Sequence, residues 1–233
     1  MSEAVAHGHV AAHGGGHGHA EHHPALQHQF ETMGQQKEAA VLGMWAFLLT
    51  EILFFGGLFL VYTIYRSWYP GAFAASSHHL DIPLGTINTA VLIGSSLTMA
   101  LAVRSAQTNS RRGIMVFIVL TMVLGSVFLG IKGVEYMHKF EEHLIPGPAF
   151  QFEAAFARPA QIFFSLYFIM TGLHALHMII GMGLMIWMLI WAYNGTIADG
   201  YYSPVEIVGL YWHFVDIVWI FLFPLLYLIG RHA

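Results

Sequence analysis

The feature that most constrains this chain is a series of five long apolar segments. They span residues 39–65, 83–103, 113–137, 160–193 and 205–230. Each exceeds the ~20 residues that a helix needs to cross a lipid bilayer. Because backbone groups in lipid must find hydrogen bonds within their own segment, we expect these segments to be helical. The sequence therefore predicts an all-α integral membrane bundle of five transmembrane helices, formed by a single domain over residues 38–233.

The composition supports a membrane location and excludes several other classes of protein. Charged residues make up only 9% of the chain, against about 25% in soluble domains. The nine Lys and Arg residues are scattered, whereas a nucleic-acid partner requires clustered basic residues. The chain has no cysteine, which excludes disulfides and thiolate metal sites. We therefore expect a membrane protein that has no nucleic-acid partner.

The orientation in the membrane follows from the basic residues. Five spans place the two termini on opposite sides. Arg104, Arg111 and Arg112 flank the loop between the second and third segments, and short loops rich in Arg or Lys face the cytoplasm. This predicts a cytoplasmic N-terminus and an outside C-terminus.

The first 37 residues have a composition unlike the rest of the chain. Eight of the sixteen histidines fall within residues 1–30, among Gly and Ala. So few apolar residues cannot form a core, which predicts a disordered, histidine-rich tail. The pairs His7/His9 and His17/His19 could bind a divalent metal weakly, but a histidine-rich tract is only compositional support for such a site.

Glu51 lies near the middle of the first apolar segment, among Leu, Ile and Phe residues. An ionisable group at this depth is costly, so it faces protein or a polar cavity and often has a function. Two interpretations remain open. Glu51 is a carboxyl that handles protons, or it is a neutral acid hydrogen-bonded to a neighbouring helix.

Further polar residues recur at helical spacing in the later segments. His213 and Asp216 are three residues apart, as are His174 and His177 and also Lys132 and Glu135, and this spacing places each pair on one helix face. Glu206 precedes Asp216 by about three turns. For Lys132 and Glu135 we expect an ion pair. The sequence thus predicts a structural polar network, with no catalytic residue and no metal ligand, made of Glu135, His174, His177, Glu206, His213 and Asp216.

Five motifs in a fixed order resemble those of subunit III of the haem–copper respiratory oxidases. Together they cover residues from about 40 to 230, and the ordered set is specific although each motif alone is weak. The motifs are Thr50-Glu51-Ile-Leu-Phe-Phe-Gly, Ile87-Asn88-Thr89-Ala-Val-Leu, Glu135-Tyr136, Gly172-Leu-His174-Ala-Leu-His177-Met-Ile-Ile-Gly181, and the ending Glu206 with Tyr211-Trp212-His213-Phe214-Val215-Asp216-Ile-Val-Trp219.

The resemblance implies a non-catalytic subunit of a proton-pumping terminal oxidase in the bacterial inner membrane. The oxidase reduces oxygen to water with electrons from cytochrome c or quinol, and Glu51 favours cytochrome c. Its partners are subunits I and II, which carry the haem and copper, with other respiratory-chain subunits possible as neighbours. This chain itself carries no cofactor, binds phospholipid, and supports proton uptake and stability of the catalytic subunit. Glu51 matches the family's intramembrane glutamate, which reacts with hydrophobic carbodiimides.

The chain also departs from the long form of this family, which has seven spans. Five spans correspond to a short form, as in bacterial quinol oxidases of the bo type. Two other functions remain open. One is a subunit-III-like accessory protein of nitric oxide reductase. The other is a haem-binding membrane cytochrome that uses His174, His177 and His213, since imidazole is a common haem ligand.

Overall fold

The computed structural model describes residues 26–148, 150–194 and 202–228, and all regular secondary structure in these ranges is helical. This confirms the all-α class. The helices are α1 (Met33–Trp68), α2 (Pro70–Ser77), α3 (Ile82–Gln107), α4 (Arg111–Glu141), α5 (Ala157–Tyr193) and α6 (Ser203–Phe223), followed by a π-helical turn at Pro224–Leu228.

Five of these helices are long and apolar enough to cross a membrane, as predicted. They are α1, α3, α4, α5, and α6 with its π-helical turn. Helix α1 begins at Met33, earlier than the apolar segment, because Thr32 provides an N-cap: its side chain accepts a hydrogen bond from the Gln35 backbone N–H at 3.2 Å. Residues 1–25 of the predicted tail lie outside the described residues.

The short helix α2 was not predicted from the sequence. Pro70 occupies its first turn, where the missing backbone N–H of proline has no cost. Ala72 and Phe73 are buried, and the helix packs on α5. It also contacts α1 and the π-helical turn at Pro224–Leu228.

Helix α6 forms the centre of the bundle. Its most apolar window is 56% buried, against 11–33% in the other four spans. It packs against α1, α3 and α5, while α4 packs against α3 and α5. Helices α1 and α3 lie on either side of α6, and cavities between them expose one face of α6. The polar residues of α6 are therefore held between several helices.

Trp212 on α6 fits between glycines of two neighbouring helices. A Cβ added at Gly181 of α5 would meet the indole of Trp212 at 3.0 Å, and one added at Gly125 of α4 would meet it at the same distance. Trp212 is fully buried, and its Nε1–H donates to Ser95 Oγ at 3.2 Å. The glycines let the helix backbones approach closely, a common device in membranes.

Candidate functional site: an intramembrane carboxyl–imidazole pair

The site is formed by Glu51 of α1 and His177 of α5. Glu51 Oε2 lies 3.2 Å from His177 Nε2, and the two side chains are 19% and 13% exposed. Each residue is close to the middle of its helix. Phe55 packs edge-on against the imidazole, with ring centroids 5.4 Å apart. The bundle therefore holds a carboxyl and an imidazole together at the depth of the apolar membrane core.

A backbone contact fixes the tautomer of His177. Its Nδ1 lies 2.8 Å from the carbonyl oxygen of Leu173. A carbonyl only accepts hydrogen bonds, so Nδ1 carries a hydrogen and donates it. In the neutral imidazole, Nε2 is then an acceptor that faces the Glu51 carboxyl. The second ring nitrogen is thus the one available for proton exchange.

The hydrogen bond between Glu51 and His177 consequently contains one proton. Either a protonated carboxyl donates to neutral imidazole, or an imidazolium donates to carboxylate. If neither Glu51 nor Nε2 of His177 carried a proton, two acceptors would face each other. If both carried one, the pair would have a positive charge within the membrane, which is costly. The pair is neutral overall in both one-proton forms. Transfer of the proton between the two groups leaves the net charge of the pair unchanged, whereas release of the proton leaves one negative charge on the carboxylate.

The three polar residues of α6, Glu206, His213 and Asp216, each contact different neighbours. Glu206 accepts a hydrogen bond from Gln107 Nε2 at 3.1 Å and lies 3.4 Å from Lys37 Nζ. His213 Nδ1 lies 2.8 Å from Ser96 Oγ. Asp216 is 3% exposed, and neither carboxyl oxygen has a hydrogen bond of acceptable geometry to a described residue. The three residues follow one helix but do not bond to one another.

His174 and Glu135 belong to two further environments. His174 is buried next to Trp219, with ring centroids 5.2 Å apart, and neither ring nitrogen has a hydrogen-bond partner among the described residues. Glu135 forms the predicted ion pair with Lys132 at 2.9 Å. The predicted polar network is therefore divided into separate groups in this structure. The two histidines of α5 contact different residues.

The ion pair includes two tyrosines that the sequence analysis did not associate with it. Lys132 Nζ donates to the hydroxyls of Tyr167 at 3.2 Å and Tyr227 at 2.9 Å. Both tyrosine hydroxyls donate to Glu135 Oε1. The ammonium also lies 5.1 Å from the ring centre of Trp219. Every member of this cluster has a partner, as a buried ionic group requires.

The histidines and carboxyl groups of the bundle are spread over separate environments. Within the described residues, no group of three or more His, Asp or Glu side chains is placed to hold a metal ion. His174, His177 and His213 contact different neighbours, namely Trp219, Glu51 and Ser96. The three histidines thus do not converge on one centre, which removes support for the autonomous cytochrome.

Comparison with known families decides between the remaining functions. The sequence model of Cytochrome c oxidase subunit III matches residues 26–231. This chain belongs to the cytochrome c oxidase subunit III family. As a subunit III it is part of a terminal oxidase complex, and its five apolar helices make it a multi-pass membrane protein. The family assignment does not favour the nitric oxide reductase accessory protein or the autonomous cytochrome.

Individual relatives cover most of this subunit III. It is 30% identical to quinol oxidase subunit 3 of Bacillus spizizenii, over 91% of this chain and 97% of the relative. It is 33% identical to cytochrome c oxidase subunit 3 of Corynebacterium diphtheriae, over 81% and 87%. It is 29% identical to cytochrome bo(3) ubiquinol oxidase subunit 3 of Pseudomonas aeruginosa, over 99% of each chain. Similar sequences thus carry names from both quinol and cytochrome c oxidases.

Proposed function

We propose that this subunit III is a non-catalytic component of a proton-pumping oxidase and that its Glu51–His177 pair supports proton uptake by the catalytic subunit. The observation that carries the proposal is the hydrogen bond between the two side chains. Because Nδ1 of His177 is committed to a backbone carbonyl, that bond holds one exchangeable proton. Intramembrane carboxyl and imidazole groups commonly serve as proton relays.

The proposed complex contains subunits I and II, which bind the haem and copper, and receives electrons from cytochrome c. Its location is the bacterial inner membrane, with the N-terminus of this chain in the cytoplasm. Partner helices and lipid would cover the outer face of α1, where Leu42, Leu49 and Leu53 are 59–72% exposed. Apolar side chains at such a face need contact with lipid or protein. This supports a subunit that lies in the membrane beside other subunits.

A phospholipid acyl chain is a suitable occupant of the groove between α1 and α6. The groove has a volume of about 420 Å³ and is lined mainly by apolar residues such as Trp45, Ile52, Phe55 and Phe221, together with His213. It opens towards the membrane, since Ile52 and Phe221 are more than half exposed. The proposed lipid would contact the helix that carries Glu51.

Glu51→Gln tests the role of the pair in proton uptake. Glutamine keeps the shape and one hydrogen-bonding group but cannot titrate. An obligatory proton-transfer group contributes ~10²-fold or more, whereas for an accessory subunit we expect a partial loss of pumping, with oxygen reduction nearly unchanged. Proton-to-electron ratios of the assembled oxidase in vesicles provide the measurement.

The Glu51→Gln experiment has a matched control, and two results would contradict the proposed role of Glu51. Glu38→Gln makes the same chemical change at an exposed position of α1 and should leave the proton-to-electron ratio unchanged. Pumping equal to wild type in Glu51→Gln would remove the proton-uptake role from the pair. A complete loss of pumping in an intact complex would make Glu51 an obligatory carrier instead.

A hydrophobic carbodiimide is expected to modify Glu51 in preference to Glu135 and Glu206. The reagent partitions into the membrane and reacts with a protonated carboxyl, one of the two one-proton forms of the Glu51–His177 pair. Glu135 is enclosed with Lys132, and Glu206 pairs with Lys37 at the end of the bundle. Mass spectrometry of peptides from the labelled complex measures the three sites, and comparable labelling of Glu135 would contradict this assignment.

A further inference from the structure

Two cavities follow α6 and share one lining residue, His213. The outer cavity, about 360 Å³, is lined by Ala100 of α3 and by Glu206 and His213 of α6, among others. The inner cavity, about 260 Å³, is lined by Ser96 of α3 and by His213 and Asp216 of α6, with apolar neighbours. His213 therefore stands between a cavity near the helix end and a cavity that reaches Asp216.

The Ser96 hydroxyl lies close enough to interact with the Asp216 carboxyl, but no described residue gives this carboxyl a well-aligned hydrogen bond. Asp216 is 3% exposed, and both oxygens lack a hydrogen bond of acceptable geometry. Burying a carboxyl without a partner costs several kcal/mol. Lys132 and Lys37 do not serve as its partners, since they pair with Glu135 and Glu206. The described residues therefore leave room for a further hydrogen-bond donor to Asp216 in the inner cavity.

Water fits the inner cavity in size and in chemistry. Its volume is well above the ~30 Å³ that one water molecule occupies in the liquid, and a buried water needs two to four polar partners. Ser96 of α3 and His213 and Asp216 of α6 provide such partners. The opposite side of the cavity opens towards the membrane, since Ile93 and Ile217 of its lining are more than half exposed. No cationic side chain of the described residues lines this cavity, so it is poorly suited to a lipid phosphate.

The outer cavity extends from His213 to the polar end of the bundle. Glu206, Lys37 and Gln107 meet there at the beginning of α6, and the Glu206 side chain is 26% exposed. Asp216 lies ten residues further along α6, or about 15 Å at 1.5 Å per residue. That distance is about half of the ~30 Å apolar core of a bilayer. Asp216 is thus placed near the midplane.

We infer that the two cavities form an aqueous half-channel, in which water and protons enter beside Glu206, pass His213 and reach Asp216. A hydronium ion gives its proton to the Asp216 carboxylate, which leaves water and a neutral carboxyl, and no electron is transferred. An intramembrane acid that faces a water-filled cavity is typical of proton pathways. The half-channel lies between α3 and α6 and does not depend on the Glu51–His177 pair of α1 and α5.

Cysteine accessibility tests the half-channel, because the 233-residue chain contains no cysteine. Ser96→Cys places a thiol in the inner cavity. Leu97→Cys places one on the adjacent face of α3, where the leucine is 62% exposed. A membrane-impermeant methanethiosulfonate is applied to the assembled oxidase in sealed vesicles, and modification is measured on this chain. Since the hydrated thiolate is the reactive form, we expect Ser96→Cys to react about tenfold faster or more than Leu97→Cys.

The route is tested by filling the outer cavity. Ala100→Phe adds a ring to its lining, whereas Leu101→Phe places the same ring at the next residue, which is outside the lining. In the Ser96→Cys background, the first change should slow modification by about tenfold or more and the second should have little effect, because only hydrated thiolate reacts. The reagent should act only from the side of Glu206.

Three outcomes would overturn the inference. Equal rates for Ser96→Cys and Leu97→Cys would show that the cavity is not preferentially hydrated. Modification by a lipid-soluble maleimide alone would assign the cavity to a membrane ligand. Protection from both reagents in the complex would assign it to a partner subunit's side chain.

Infrared spectroscopy follows the protonation of Asp216 directly, without a cysteine substitution. The difference between wild type and Asp216→Asn identifies the carboxyl band of Asp216. After transfer into D₂O, this band should shift within the mixing time in wild type and more slowly in Ala100→Phe. A band that stays unshifted for hours would exclude proton exchange between Asp216 and the aqueous phase.

Discussion

Lys132→Met is expected to destabilise the folded subunit by about 3–5 kcal/mol, because it leaves the Glu135 carboxyl buried without its cation. Lys132 and Glu135 are 4% and 2% exposed, so water cannot replace the lost ammonium. Tyr167 and Tyr227 also lose the group to which their hydroxyl oxygens are bonded. We expect the purified complex to contain less subunit III. On heating, subunit III should be lost from the complex at a lower temperature than in wild type.

Another lysine of α4 provides the matched control. Lys139 pairs with Glu142 at 2.5 Å with the same three-residue spacing, but the Glu142 side chain is 47% exposed. Lys139→Met leaves a carboxylate that water can solvate, so it should cost no more than about 1 kcal/mol. The double variant Lys132→Met/Glu135→Leu should recover part of the loss, because replacing both partners of a buried pair is often neutral, although the Tyr167 and Tyr227 hydroxyls lose their bonds to both groups. A double variant as unstable as Lys132→Met would contradict this explanation.

The sequence predicted those features that depend on local spacing. The five spans follow from the length of each apolar segment, which the bilayer thickness determines. The Lys132–Glu135 ion pair follows from their separation on one helix. Placing Glu206, His213 and Asp216 along α6 also required only the helical repeat. These inferences needed no knowledge of how the helices pack.

Features that depend on helix packing could not be predicted. Glu51 and His177 are 126 residues apart, and no spacing rule relates positions on different helices. Tyr227 reaches Glu135 from the π-helical turn at Pro224–Leu228, a local irregularity that periodicity does not reveal. His174 and His177 were correctly placed on one helix, yet their side chains meet different neighbours because α5 packs against several helices.

The same packing makes Gly181 one of the most sensitive positions in the bundle. A Cβ at this position would lie 3.0 Å from atoms of both Tyr211 and Trp212. Trp212 cannot move away easily, since it is fully buried and its other side meets Gly125 of α4. Filling such a contact displaces a rigid ring or separates two helices. Inserting extra atoms into a packed core costs ~1–3 kcal/mol, and occasionally more.

Gly181→Leu is therefore expected to destabilise subunit III by about 3 kcal/mol and to reduce its retention in the complex. Gly183→Leu is the control, because a Cβ at Gly183 has no neighbouring atom within 4 Å and the side chain can extend into lipid. Thermal loss of the subunit from the purified oxidase measures both. Adding Trp212→Leu to Gly181→Leu should restore part of the stability, since residues in contact show coupled effects. Equal behaviour of the two glycine variants would mean that Trp212 does not set the distance between α5 and α6.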